Sequence, residues 1–167
     1  MTQYIADEAH FKEVIARVPK VKKSLWIGTA DIKDLHVGKQ PFLGILADLV
    51  KHKREVRLIH AKEPGPILRE EFDHYPILYS GMERMICPRV HFKMIIFDFQ
   101  VAYVGSANLT GAGLGMKSDR NRNFEAGILT DDPKLVEAAV NHFDSVWAGF
   151  ECKNCGRKQY CGDPITI

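Results

Sequence analysis

Apolar and polar positions alternate along the chain in two rhythms, one of period near 3.6 and one of period 2. In "DEAHFKEVIARV" (7–18), Phe11, Val14, Ile15 and Val18 keep the spacing of one helix face. "SLWIGTA" (24–30) predicts a first strand. "PFLGILADLVKHK" (41–53) places Pro41 at a helix start and spaces Phe42, Leu43, Leu46, Leu49 and Val50 along one side, so it predicts an amphipathic helix. A second strand follows in "EVRLIHA" (55–61) and a further helix in "GPILREEFDHY" (65–75). "RVHFKMIIFD" (89–98) and "VAYVGSA" (101–107) read as two strands joined by a tight turn. After a Gly-rich, basic loop at 111–123 come a strand in "NFEAGILTD" (123–131) and a long helix from Pro133 to Phe150. This order predicts an α/β sandwich, a mixed sheet flanked by helices, with a single domain over 1–150 and a cysteine-containing tail over 151–167.

Composition narrows the picture. The 167 residues are 46% hydrophobic, enough for a sizeable core. A net charge of +2 is too small to mark a nucleic-acid binder by itself, so any basic footprint has to be local. The N-terminal "MTQYIADEAHFKEV" lacks the basic-then-apolar pattern of a secretion signal, and no run reaches the ~18 apolar residues of a membrane span. The expectation is a soluble, cytoplasmic protein that does not act at a membrane.

One strand carries residues that a buried strand has no use for. His91 and Lys93, two apart, project from the same face if the strand is regular. Asp98 follows, then Gly105-Ser106-Ala107-Asn108, giving H-x-K-x4-D-x6-G-S-x-N. Six specified residues at fixed spacing arise by chance in fewer than about one in ten thousand chains of this length.

This run resembles the HKD signature of the phospholipase D superfamily. The resemblance implies that superfamily's α/β sandwich, in which two HKD motifs meet across an approximate twofold axis to form one active site. The chain holds one motif, so the resemblance implies a homodimer like the small single-motif endonucleases of the superfamily, each His91 facing its symmetry mate.

Phosphodiester cleavage needs a nucleophile, a proton for the leaving oxygen, and donors around the phosphoryl oxygens. His91 of one subunit supplies the nucleophile of a phosphohistidine intermediate and His91 of the other the general acid, so their titrations belong to the pair. Lys93 and Asn108 are donors to the oxygens. Ser106 either holds an oxygen or fixes the turn, and Asp98 is a structural anchor rather than a proton carrier. No metal is required by this scheme. Glu125 in "NFEAGI", which matches the N-x-E-like glutamate of the family, is the candidate to hold the second nitrogen of His91.

The expected function is a metal-independent phosphodiesterase, an endonuclease on DNA or RNA; the alternatives are a phospholipase D or phosphatidyl transferase, or a non-catalytic nucleic-acid-binding module. Lys117, Arg120 and Arg122 of the basic loop are candidates to neutralise substrate phosphates. "GAGLG" (111–115) is not a dinucleotide loop, because Met116 stands where the pattern wants glycine. The other histidines, His10, His36, His52, His60, His74 and His142, have no ligand spacing.

The four cysteines form a second constellation. Cys152, Cys155 and Cys161 make C-x2-C-x5-C, and Cys87 stands just before the motif strand. In a chain read as cytoplasmic, that spacing points to a structural metal rather than disulfides: a zinc ion, or a [4Fe–4S] cluster.

Overall fold

The computed structural model describes residues 1–163 and Ile165; Pro164, Thr166 and Ile167, at the end of the expected tail, lie outside the described residues. The strands are β1 (Thr2–Ala6), β2 (Ser24–Thr29), β3 (His36–Val37), β4 (Gln40–Pro41), β5 (Glu55–His60), β6 (Glu83–Ile86), β7 (Lys93–Phe97), β8 (Val101–Gly105) and β9 (Ala126–Thr130). The α-helices are α1 (Phe42–Lys51), α2 (Pro66–Asp73), α3 (Ile77–Gly81) and α4 (Pro133–Trp147). Seven strands form one mixed sheet in the order β1-β9-β8-β7-β2-β5-β6, parallel only across β2-β5-β6, while β3 and β4 make a separate hairpin. The predicted mixed α/β sandwich is therefore the observed architecture.

The period-2 alternation of the strands divides the core in two. Leu25 and Ile27 of β2, Ile95 and Phe97 of β7 and Tyr103 of β8 face α1 and α2, in one cluster with Leu43, Leu46 and Phe72. Their neighbours Trp26, Met94, Ile96 and Ala102 face α4, against Val136, Ala139 and Phe143. The start of α4 is fixed chemically: Asp132 accepts hydrogen bonds from the amides of Lys134 and Leu135 at 2.9 and 3.1 Å, and Pro133 occupies the first turn.

Several predicted boundaries shift. The segment predicted as helix over 7–18 is a π-helical turn at His10–Val14 followed by 3₁₀ turns to Lys20, because Pro19 and the β-branched Val14, Ile15 and Val18 resist a regular α-helix. The strand predicted over 89–98 begins only at Lys93, and His91 precedes it. Pro88 has no amide to give a ladder, and the Val90 amide turns back to the Cys87 carbonyl at 3.0 Å. The strand expected from Asn123 likewise begins at Ala126. β1 and β6, the two sheet edges, are short and carry polar residues, charged ones in β6, with no clean alternation, so the apolar pattern does not mark them.

Candidate active site

The motif residues other than Asp98 lie at one end of the sheet, where β7 starts and β8 stops. Lys93 pairs in register with Gly105. Although His91 lies outside the strand, the lysine reaches back to it: Lys93 Nζ donates to the His91 carbonyl at 2.8 Å and stands 3.3 and 3.4 Å from Nδ1 and Nε2 of the ring. Lys93 is 8% exposed, whereas His91 is open to solvent. Whichever ring nitrogen carries the lone pair can therefore accept from the ammonium, and the imidazole is presented outward.

Gly105 has a steric reason to be glycine. A Cβ there would come within 2.3 Å of the Tyr103 hydroxyl and 2.6 Å of the Ala126 carbonyl. Opposite it in the register stands Gly127, whose Cβ would meet the same tyrosine ring at 2.4 Å. The buried Tyr103 thus fills the space beneath the motif, and burial holds its hydroxyl well above the usual tyrosine range.

Beyond Gly105, Ser106 and Glu125 bind each other. The Ser106 hydroxyl donates to the Glu125 carboxylate and accepts from the Ala126 amide at 3.0 Å. The other carboxylate oxygen of Glu125 accepts from Asn123 Nδ2 at 3.0 Å, and among the described residues the glutamate makes no hydrogen bond to His91. Asn108 uses its side-chain carbonyl to accept from the Asp31 amide at 3.1 Å, which leaves its NH2 group without a protein acceptor among the described residues.

Asp98 is not brought to this cluster. It sits at the opposite end of β7, in the turn to β8, where its carboxylate accepts from the amides of Lys22, Lys23 and Ser24 at 2.6–3.1 Å. Burial alone would raise its pKa, but those three amides and the Lys22 ammonium outweigh it and hold the carboxyl below the usual range.

The basic loop divides in two. Its first part is anchored by Leu114, 1% exposed, and by Gly115, which at φ +69° lies against the backbone of Asp7 and Glu8. Its second part carries Lys117 and Arg120 outward, while Arg122 turns inward to Glu8 and Asp119 at 3.9 and 3.5 Å. Lys117 and Arg120 thus make no ion pair among the described residues, whereas Arg122 is already engaged.

Two positioning residues escape sequence reasoning. Thr29, buried at the end of β2, donates to the Asp31 carbonyl at 2.7 Å and accepts from the Leu109 amide at 3.0 Å, tying the Asn108 loop to the sheet. Asp7 exchanges hydrogen bonds of 3.1 Å with the backbone of Glu125. Each acts across a long sequence separation, and no local pattern signals either.

The cysteines lie beside the site. Cys87, Cys152 and Cys155 line a cavity of about 350 Å³ together with Arg89, Phe92 and His142. Cys161 Sγ donates to the Ile86 carbonyl at 3.9 Å, next to Cys87. Among the described residues no three of these groups stand close enough, as placed, to ligate one ion.

His91, Lys93, Ser106, Asn108 and Glu125 lie toward one end of the mixed sheet of an α/β sandwich, with the exposed His91 imidazole beside the Lys93 ammonium. The family model described as the PLD-like domain of cardiolipin synthase matches residues 14–147, and the chain belongs to that phospholipase D-like family. No curated protein matches it by sequence. Among solved structures it is similar to Nuc from Salmonella typhimurium, a phospholipase D family member, at 19% identity and TM-score 0.65, over 89% of this chain and 94% of that one. NucT from Helicobacter pylori is similar at 13% identity and TM-score 0.65, over 87% and 95%. The phosphatidylserine synthase of Haemophilus influenzae is similar at 14% identity and TM-score 0.62, over 86% of this chain but 38% of that one. At these identities the likeness is one of fold.

Proposed function

We propose that the protein is a nuclease that cleaves DNA or RNA phosphodiesters through a phosphohistidine, in an active site completed by a second copy of the chain. The observation that carries this reading is the exposed His91 imidazole, held by the largely buried Lys93 ammonium, in a chain with a single motif. That the chain spans nearly the whole of Nuc and NucT, but little over a third of the phosphatidylserine synthase, supports a small enzyme of the kind of Nuc.

In the proposed reaction a ring nitrogen of one His91 attacks phosphorus, and the bond to the leaving oxygen breaks as the partner copy's imidazolium delivers its proton. That imidazole then takes a proton from water, whose oxygen displaces the first histidine. Lys93 and the unpartnered Asn108 NH2 donate to the phosphoryl oxygens, whose charge grows as the bonds change. No step calls on a metal. Glu125 steadies the Gly-Ser-Ala-Asn loop through Ser106.

For the second copy the sheet offers an uncovered apolar row. Tyr4, Ile128 and Val104 stand opposite one another across β1, β9 and β8, at 68%, 37% and 43% exposure, in line with Met94 of the motif strand. Phe124, just before β9, is 87% exposed. We assign this surface to the twofold contact.

The test is an assay in EDTA against single- and double-stranded DNA, RNA and phosphatidylcholine vesicles, followed by acid- and base-quench analysis for phosphohistidine. Turnover of nucleic acid with a base-stable, acid-labile phosphoprotein, both lost in His91→Asn, is the expected result. Retained activity in His91→Asn overturns the nucleophile. The description of the matching family model favours phosphatidyl transfer as a second reading, and hydrolysis confined to the vesicles would select it.

A further inference from the structure

The C-terminal segment beyond α4 has an unusual burial pattern. From Glu151 to Asp163 every residue is exposed except three, and those three half-buried residues are Cys152, Cys155 and Cys161. A segment with no apolar side chain turned inward has little hydrophobic free energy with which to offset the entropy of being ordered. This one nevertheless follows a defined path. Gly149, at φ +75°, reverses the chain after α4, the Cys152 amide donates to the Gly149 carbonyl at 2.9 Å, and the Cys155 amide donates to the Cys152 carbonyl at 3.2 Å. Farther on, Asp163 accepts from the Ile86 amide at 2.7 Å, so the tail is fastened to the edge strand β6 immediately before Cys87.

These turns bring the cysteines to one side of the domain. Cys152 and Cys155 line the cavity that Cys87 also lines, and Cys161 meets the peptide carbonyl next to Cys87. Thiolates are soft ligands, and four of them, one upstream and three in a C-x2-C-x5-C run, satisfy either a tetrahedral zinc ion or a four-iron cluster. The geometry points to a metal centre bound by Cys87, Cys152, Cys155 and Cys161, in which the ion or cluster replaces the missing apolar core of the tail. Among the described residues no three ligand groups are placed to hold one ion as they stand, so binding has to draw the sulfurs together and with them order the tail. The same cavity wall holds Arg89, Val90 and Phe92, the residues flanking His91, so the centre also braces the segment that presents the imidazole.

The experiment is elemental analysis of untagged full-length protein purified anaerobically. About one zinc per chain identifies the mononuclear site, and about four irons with brown colour identify the cluster; either supports the proposal. Metal-free protein whose four thiols all react with a thiol reagent, or whose cysteines are paired as disulfides, overturns it. Cys155→Ser should lose the bound metal and become susceptible to trypsin at Lys153, Arg157 and Lys158, with the core of the domain resistant. Should that variant fail to fold, chelation of the wild-type protein gives the same tryptic readout, and a pattern unchanged by metal loss also overturns the proposal. None of these measurements depends on which substrate the enzyme cleaves.

Discussion

Replacing Asp98 separates structural anchoring from catalysis within the signature. The residue occupies a two-residue turn with Phe99, at φ +54° and +56°, closed by the Gln100 amide donating to the Phe97 carbonyl at 2.9 Å. From that turn its carboxylate caps three successive amides at the start of β2. In Asp98→Ala, water can replace the carboxylate at the exposed Lys22 and Lys23 amides. The part-buried Ser24 amide loses a charge-assisted bond worth about 1.5–3 kcal/mol. Alanine in the left-handed region adds a further ~1 kcal/mol, so the total is about 3 kcal/mol. Asp98→Asn keeps both the left-handed tolerance and one acceptor oxygen, and should cost about half as much.

The pH dependence has a defined sign. A carboxyl whose pKa is lower in the folded state contributes stability above its unfolded value of about 3.9, and that contribution is lost as pH falls through the folded value. Urea unfolding followed by tryptophan fluorescence should show Asp98→Asn less stable than wild type at pH 7, with the gap closing below about pH 4. Specific activity of the folded fraction should stay near wild type. Unchanged stability together with abolished turnover would refute the reasoning and place Asp98 in the reacting groups.

Other substitutions probe the remaining surfaces. Gly105→Ala drives a methyl group into Tyr103 and should lower stability by about 1–3 kcal/mol in calorimetry, and an unchanged Tm would contradict the packing argument. Ile128→Glu should give a folded, inactive monomer by light scattering, whereas a fully active monomer would remove both the interface and the shared site. Lys117→Ala and Arg120→Ala should each flatten the salt dependence of nucleic-acid binding; Arg122→Ala, whose partners are Glu8 and Asp119, should change stability rather than the salt slope.

What could be read in the sequence follows from where its information lies. The helices α1 and α4 announce themselves by an apolar stripe and the strands β2, β5, β7 and β8 by short runs rich in apolar residues, and both are local patterns. The edge strands do not, since an edge is held by backbone pairing along one side and carries the polar residues that discourage further pairing. The candidate site divides the same way. Its proposed reacting side chains are legible as a spaced motif, but their supports are not: Thr29 reaches Leu109 across 80 residues, and Asp7 reaches Glu125 across 118.

Glu125 shows what motif spacing alone leaves out. Sequence reasoning assigns its carboxylate to the His91 ring; within one chain its oxygens accept from Ser106 and from Asn123. The hydroxyl of Ser106 in turn accepts from the Ala126 amide, so the glutamate fixes the rotamer of the very residue that follows Gly105. What holds His91 in the same chain is Lys93, a cation. In the proposed reaction the two copies of His91 take opposite parts, one attacking phosphorus as the neutral ring and the other delivering a proton to the leaving oxygen. The two copies are identical in sequence, so the difference between them has to come from the bound phosphodiester, whose leaving oxygen lies on one side only.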